Sequence, residues 1–122
     1  MKTVYVAGAM SANNLPTVMQ NIHRGILLAS EALEAGYAPF CPHLDVFYQL
    51  LRGTDLNLET QQFYDYSMEI LKRMDYILVC SNSSESKGTK AEIAMANRMG
   101  KPIFFSVEEM LAYDKYEESD NG

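Results

Sequence analysis

A short segment near residue 90 holds the residues best suited to chemistry. It reads Ser86-Lys-Gly-Thr-Lys-Ala-Glu92 and combines a glycine with two hydroxyls, two lysines and a carboxylate. If a helix begins there, its free N–H groups and its positive end would favour an anion such as a phosphate. The same spacing fits a capping box, in which Thr89 caps the helix and Glu92 bonds back to the N–H of the cap. Spacing alone favours the capping box.

Two further groups of residues could take part in chemistry. Tyr5 stands three positions before Gly8, and His43 and Asp45 follow a segment that contains two prolines. A tyrosine on a buried strand is ordinarily a core residue, and a histidine that follows a proline is as easily structural as functional. Cys41 and Cys80 form no C-x-x-C or zinc-ligand pattern, so neither a redox motif nor a metal site is predicted.

The elements that must position these residues alternate between strands and helices. Short apolar runs predict strands over residues 3–6, 37–41, 76–80 and 102–105, with Pro39 favouring an edge position or a strand start. Gly36 and Gly100 are the expected helix ends. The predicted apolar helix faces are Val18, Ile22, Ile26, Ala29 and Leu33; then Phe63, Tyr66, Ile70, Leu71 and Met74; then Ala91, Ala94, Met95 and Met99.

This alternation predicts an α/β fold. We expect a small doubly wound, flavodoxin- or Rossmann-like parallel sheet of about four to five strands with helices on both faces. Such sheets bind ligands beyond the carboxyl ends of their strands. Three loops, at residues 7–14, 42–55 and 81–89, should therefore meet at one edge, and the second of them should contain one helical turn. Asp75 opens its strand, so it should lie at the other edge in a structural role.

Length and charge narrow the possible functions. The 122 residues are enough for one domain, expected over residues 1–113, with a last helix over 107–116 and a loose acidic tail over 114–122. A net charge of −6 argues against a surface that binds nucleic acid, although a small anion in a local pocket stays open. No apolar run is long enough for a membrane span or a signal peptide, which predicts a cytoplasmic protein.

Several of these features together resemble the nucleoside 2-deoxyribosyltransferase superfamily, which also includes the nucleoside 5′-monophosphate N-glycosidases. The resemblance is carried by Tyr5-x-x-Gly8 on the first strand, Ser86-x-Gly88-x-x-x-Glu92 at a helix start, and the strand start Gly100-Lys-Pro-Ile103. The order and spacing of elements agree over nearly the whole chain. The segment Pro39-Phe-Cys-Pro-His-Leu44 is also similar to uncharacterised phage and bacterial members.

The resemblance implies roles for individual residues. Glu92 would be the nucleophile that forms a glycosyl ester, and Tyr5 would orient it. We expect an ionised Glu92 at neutral pH, because the pKa of a free glutamate is about 4.3 and a helix N-terminus favours the carboxylate. No cofactor or metal is implied, and the expected assembly is a homodimer or higher homo-oligomer. The expected nucleotide contacts are Gly8, Met10, Ser86, Gly88 and Thr89.

Two positions bear on the substrate and on the proton donor. Members that act on free nucleosides place an aspartate six residues before the nucleophile, whereas this chain has Ser86, which would accept a 5′-phosphate. Relatives carry another aspartate eight residues before the one that opens the third strand, and Ser67 stands there. The remaining candidates for the acid or base are Asp65, His43 and Asp45, of which Asp65 would need a shifted helix register.

The favoured hypothesis is a nucleoside 5′-monophosphate N-glycosidase. One alternative is a base-exchanging deoxyribosyltransferase, and another is a nucleotide-binding module without activity, which the serine at position 67 supports. A further alternative is a relative of the lysine-decarboxylase-like phosphoribohydrolases, whose G-G-x-G-T-x-x-E motif resembles Gly88-Thr-Lys-Ala-Glu92, although Ser86-Lys87 replaces the paired glycine. In each case the partner would be a small nucleotide rather than a nucleic acid or a membrane.

Overall fold

Four parallel strands form the centre of the structure, a computed structural model that describes residues 1–52 and 59–121. The sheet order is β2-β1-β3-β4, and every neighbouring pair is parallel, which confirms the predicted α/β fold with helices on both faces. The elements are β1 (Thr3–Ala7), α1 (Leu15–Glu34), β2 (Ala38–Phe40), a 3-10 helix (Pro42–Asp45), α2 (Val46–Arg52), α3 (Thr60–Arg73), β3 (Tyr76–Val79), α4 (Lys87–Arg98), β4 (Ile103–Phe104) and α5 (Val107–Asn121).

The two central strands are buried on both faces. Tyr5 in β1 stands opposite Ile77 in β3 on one side and Phe40 in β2 on the other. Near-continuous apolar runs such as Tyr76–Val79 suit this position, because helices cover both sides of a parallel sheet. The edge position of β2 agrees with the prediction made from Pro39, whose missing N–H is tolerated at an edge.

Two hydrophobic layers hold the helices to the sheet. One layer packs Val4, Leu78 and Phe104 against α1 and α5. The other packs Tyr5, Ile77 and Val79 against α3 and α4. Because residues along a strand alternate between faces, Tyr5 points toward the α3 and α4 side. That is the side on which the candidate nucleophile lies.

Two glycines end helices as the sequence indicates. Gly36 follows α1 with a φ of +97°, and Gly100 follows α4 with a φ of +68°. Both angles lie in the left-handed region, which a glycine adopts without the steric cost of a Cβ. The chain therefore turns sharply after each helix and enters the next strand.

The buried face of α1 differs from the predicted one. Its buried residues are Asn21, Gly25, Ala29 and Ala32, whereas Leu33 is 61% exposed. Small side chains let the helix approach the sheet closely, so the larger apolar residues lie to the flanks or in solvent. The prediction for α4 is half right: Ala91 and Met95 pack against the core, whereas Ala94 and Met99 are exposed and Ala96 is buried.

The segment after β2 is more helical than predicted. It forms the 3-10 helix and then α2, with a proline at the start of the first. The predicted turn at Arg52-Gly-Thr-Asp55 falls largely on residues 53–58, outside the described residues.

The prediction of a loose tail from Asp114 is wrong, because α5 continues to Asn121. The carboxylate of Asp114 accepts hydrogen bonds from the hydroxyls of Tyr37, at 2.6 Å, and Tyr76. These bonds fix the middle of the helix to the amino edge of the sheet. The extent of the domain, residues 1–113, stays a prediction.

Within residues 1–52 and 59–121, no helix is long and apolar enough to cross a membrane. The same residues contain no cluster of three or more His, Cys, Asp or Glu side chains placed to hold a metal ion.

Candidate active site

A cavity of about 850 Å³ opens at the carboxyl edge of the sheet. The loop after β1, the 3-10 helix and the loop before α4 all contribute to its wall, as expected for ligand sites in sheets of this kind. Helices α1 and α3 complete the wall from opposite sides. Asp75 lies at the other edge, where its carboxylate accepts hydrogen bonds from the N–H and the hydroxyl of Thr3 at 2.8 and 3.1 Å.

Glu92 is a partly buried carboxyl on the cavity wall. Burial raises its pKa to about 7, and the hydroxyl of Tyr5 opposes this shift. The expectation of an ionised carboxylate across the neutral range is therefore wrong. Glu92 lies in the second turn of α4, where the helix dipole has largely faded, so desolvation dominates.

Tyr5 lies at the base of the cavity and is fully buried. Its ring packs against Phe40 with 5.6 Å between the ring centroids. Its hydroxyl makes no hydrogen bond with any residue that the structure describes, and Glu92 and Ser67 are among the polar neighbours that influence its titration. Burial and then the charge of Glu92 raise the pKa of Tyr5 far above its usual value, so the phenol stays a neutral donor.

The start of α4 corrects the capping-box interpretation. Ser86, not Thr89, is the N-cap, and its Oγ accepts hydrogen bonds from the N–H and the hydroxyl of Thr89 at 3.2 and 3.0 Å. Glu92 is thus free of the cap and lines the cavity. A Cβ at Gly88 would meet only the Ser86 Oγ at 4.0 Å, so a ligand can approach this backbone closely.

Two of the three acid or base candidates, Asp45 and Asp65, have different surroundings. Asp45 is on the cavity wall, where burial raises its pKa and the hydroxyl of Tyr66 donates a hydrogen bond to it. Asp65 is exposed on α3, away from the cavity wall, and accepts a hydrogen bond from Gln61 at 2.8 Å. Ser67 lines the cavity in the place expected from its position in the sequence.

His43 is packed beneath the cavity wall, next to Gly8. His43 is 1% exposed, and burial lowers the pKa of its imidazole. It does not line the cavity, so it is not placed to exchange protons with a ligand. Gly8 does line the cavity, but a Cβ there would come within 2.6 Å of the Cys80 Sγ. Tight packing alone therefore requires glycine at position 8.

The sequence did not single out three polar residues of the cavity wall. Asn82 donates to the Oδ1 of Asn21 at 2.7 Å, and Asn21 donates to the carbonyl of Met10 at 3.3 Å. Arg24 lines the same side and takes part in no ion pair among the described residues. Asn21 lies outside the apolar face predicted for this helix, and Arg24 looks like any surface arginine, so the sequence carried no signal for either.

Comparisons with known proteins identify a family and a fold. The family model described as a domain of unknown function (DUF7768) matches residues 2–106. One similar solved structure is a 2-deoxyribosyltransferase from the psychrotolerant bacterium Bacillus psychrosaccharolyticus, with a TM-score of 0.57 and 13% identity. The match covers 83% of this chain and 69% of that chain, and at this identity it shows a shared fold alone. No curated protein matches the sequence.

Proposed function

We propose that this chain, which belongs to the DUF7768 family, cleaves the bond between base and sugar in a nucleoside 5′-monophosphate. One observation carries the proposal: the carboxyl of Glu92 lines a large cavity at the carboxyl edge of the sheet, with the Tyr5 hydroxyl near it. The shared fold with a 2-deoxyribosyltransferase supports glycosyl transfer as the class of reaction.

The proposed reaction has two steps. In the first, a Glu92 oxygen bonds to C1′ while the bond from C1′ to the base nitrogen breaks, as in retaining glycosidases. The departing base gains a proton. In the second, water attacks C1′, the carboxylate of Glu92 leaves, and the water gives up a proton. Tyr5 would orient Glu92 by hydrogen bonding in the complex, because its phenol stays a neutral donor.

Asp45 is the proton donor that the cavity supports best. It shares the cavity wall with Ser67, and burial raises its pKa, which favours the protonated acid. In the first step it would protonate the leaving base, and in the second it would accept the proton of the attacking water. Asp65 is not used because it is exposed outside the cavity wall.

The start of α4 is the proposed phosphate site. The Ser86 Oγ already accepts two hydrogen bonds, so its own hydroxyl hydrogen can be donated to a ligand. The N–H groups of Lys87 and Gly88 lie in the first turn of α4, where backbone N–H groups have no carbonyl partner within the helix. A phosphate there would meet donors and the positive end of the helix. The Ser86 hydroxyl and the N–H groups of Lys87 and Gly88 are therefore proposed to hold the 5′-phosphate, with Thr89 fixing the Ser86 side chain, and Gly8 and Met10 to border the sugar and base.

Two alternatives share this site. A base-exchanging transferase would use the same ester but resolve it with a second base instead of water. A nucleotide-binding module would bind without cleavage, and the serine at position 67 favours it, because a hydroxyl cannot act as an acid at neutral pH. Both predict nucleotide binding in the same cavity.

The deciding experiment is a base-release assay. Wild-type protein, Glu92→Gln and Glu108→Gln are each incubated with ribo- and deoxyribonucleoside 5′-monophosphates, and free base is measured by chromatography. Glu108 is an exposed carboxyl in the first turn of α5 and serves as the matched control. Release by wild type and Glu108→Gln but not by Glu92→Gln is expected. Release that needs an added acceptor base would indicate the transferase, and binding without release would indicate the module.

A further inference from the structure

His43 is a buried polar side chain directly beneath the loop 8–10 of the cavity wall. Its Nδ1 lies 3.6 Å from the Cys41 Sγ, and its Nε2 has no hydrogen-bond partner among the residues that the structure describes. An imidazole with 1% exposure and an unpaired nitrogen is unusual, because buried polar groups are normally satisfied. The backbone of Ala9, in the loop 8–10, opposes the lowering of the His43 pKa by burial, so the ring faces this loop.

The space around the ring is defined by two glycines. A Cβ on Gly25 of α1 would lie 2.3 Å from the Cγ and the Nδ1 of His43. A Cβ on Gly8 would lie 3.1 Å from the Nε2. Both distances are too short for ordinary packing, so the ring fills a gap that only glycines leave between α1 and the end of β1.

We propose that His43 is a positioning residue that sets where the loop 8–10 stands on the cavity wall. This loop contains Met10, whose carbonyl is held from the side by the Asn21 amide of α1, while the ring supports Gly8 from below. Shifting the ring would move the loop relative to Glu92 without removing any group that touches a ligand. The inference rests on the proposed function for what the loop contacts, but the placement of the loop can be tested without a ligand.

The first test compares backbone amide spectra of the free protein. The variants are His43→Gln and His23→Gln, since the chain has two histidines and His23 is the exposed one on α1. We expect the amides of residues 8–10 to shift in His43→Gln and to stay unchanged in His23→Gln. Changes confined to residues 41–45 and to the neighbours of Gly25 would overturn the proposal.

The second test measures the affinity for nucleoside 5′-monophosphates in a Glu92→Gln background, which prevents turnover. Adding His43→Gln is expected to raise the Kd about tenfold, because a small misplacement of a positioning element has large effects. Adding His23→Gln is expected to leave the Kd unchanged. An unchanged Kd with His43→Gln in a folded protein would overturn the proposal. If the parent binds no nucleotide, the proposed function fails, and the amide shifts alone decide the role of His43.

A third variant tests the position of the ring itself. Gly25→Ala keeps the histidine but forces the ring to move, and alanine is favourable within a helix. It should therefore reproduce the amide shifts at residues 8–10. A folded Gly25→Ala protein with an unchanged loop would show that the ring does not set the loop position.

Discussion

The buried carboxyl of Glu92 should make the stability of the protein depend on pH in a way that one substitution removes. Burial raises its pKa from 4.5 to about 7 in the folded state. Each pKa unit corresponds to about 1.4 kcal/mol, so ionising this group within the fold costs roughly 3 kcal/mol. The pKa of Glu92 is higher in the folded state than in the unfolded state. The contribution of this carboxyl to the free energy of unfolding is therefore complete below about pH 4.5 and is lost as the pH rises through about 7. Glu92→Gln has no such dependence.

Urea denaturation of the wild type and of Glu92→Gln at about pH 4 and about pH 8.5 measures this effect. From about pH 4 to about pH 8.5, wild type should lose roughly 3 kcal/mol of unfolding free energy that Glu92→Gln does not lose. The variant's free energy of unfolding, relative to wild type, should increase by that amount. Contributions common to both proteins, such as that of Asp45, cancel in the difference. Glu108→Gln, at an exposed site, should show no comparable change. A difference below about 1 kcal/mol for Glu92→Gln would refute the assignment of burial as the dominant influence.

Four further outcomes are expected. Base release should follow a bell-shaped pH profile, because the nucleophile Glu92 must be ionised while the proton donor Asp45 must be protonated; a rate that stays constant between about pH 4 and 9 would contradict this. Ser86→Asp should weaken nucleoside monophosphate binding at least about tenfold by charge repulsion, with little effect on binding of the free nucleoside. Calorimetric titration measures both affinities, and an equal loss for the two ligands would contradict repulsion of the phosphate. Asp114→Asn should cost about 1–3 kcal/mol in urea denaturation, since the hydroxyls of Tyr37 and Tyr76 lose a charged acceptor, and a cost under about 0.5 kcal/mol would dismiss these bonds as a stabilising contact. Light scattering at micromolar concentration should give a multiple of 13.8 kDa, as predicted for a homo-oligomer, and a monomer mass would count against that assembly.

The sheet could be predicted because its signals are local. Short apolar runs, a proline at the edge strand and glycines after helices each act within a few residues. The same local rules failed for α1, where Leu33 fits the periodicity but Gly25 is buried instead. Gly25 is buried because the ring of His43 packs directly against it, and His43 comes from another element of the fold.

The residues of the site were partly predictable. The segment around Glu92 was found from its composition, but spacing favoured Thr89 as the cap, since Ser86 and Thr89 are both good capping residues. The structure chooses Ser86. The pKa of Glu92 could not be predicted at all, because desolvation depends on elements that meet only in the fold. Arg24 was missed because its place on the cavity wall also depends on how these elements meet in the fold.

The pairing of β1 with β3 has a consequence for how the protein acquires its site. Tyr5 aligns with Ile77, so the two central strands come from positions about seventy residues apart. Closing so long a loop carries a large entropic cost before any contact compensates for it, and non-local pairing of this kind slows folding. Tyr5 and Glu92 belong to elements on either side of that closure. The cavity therefore forms only once β1 has paired with β3, and a chain with well-formed helices but an unpaired β1 would lack it.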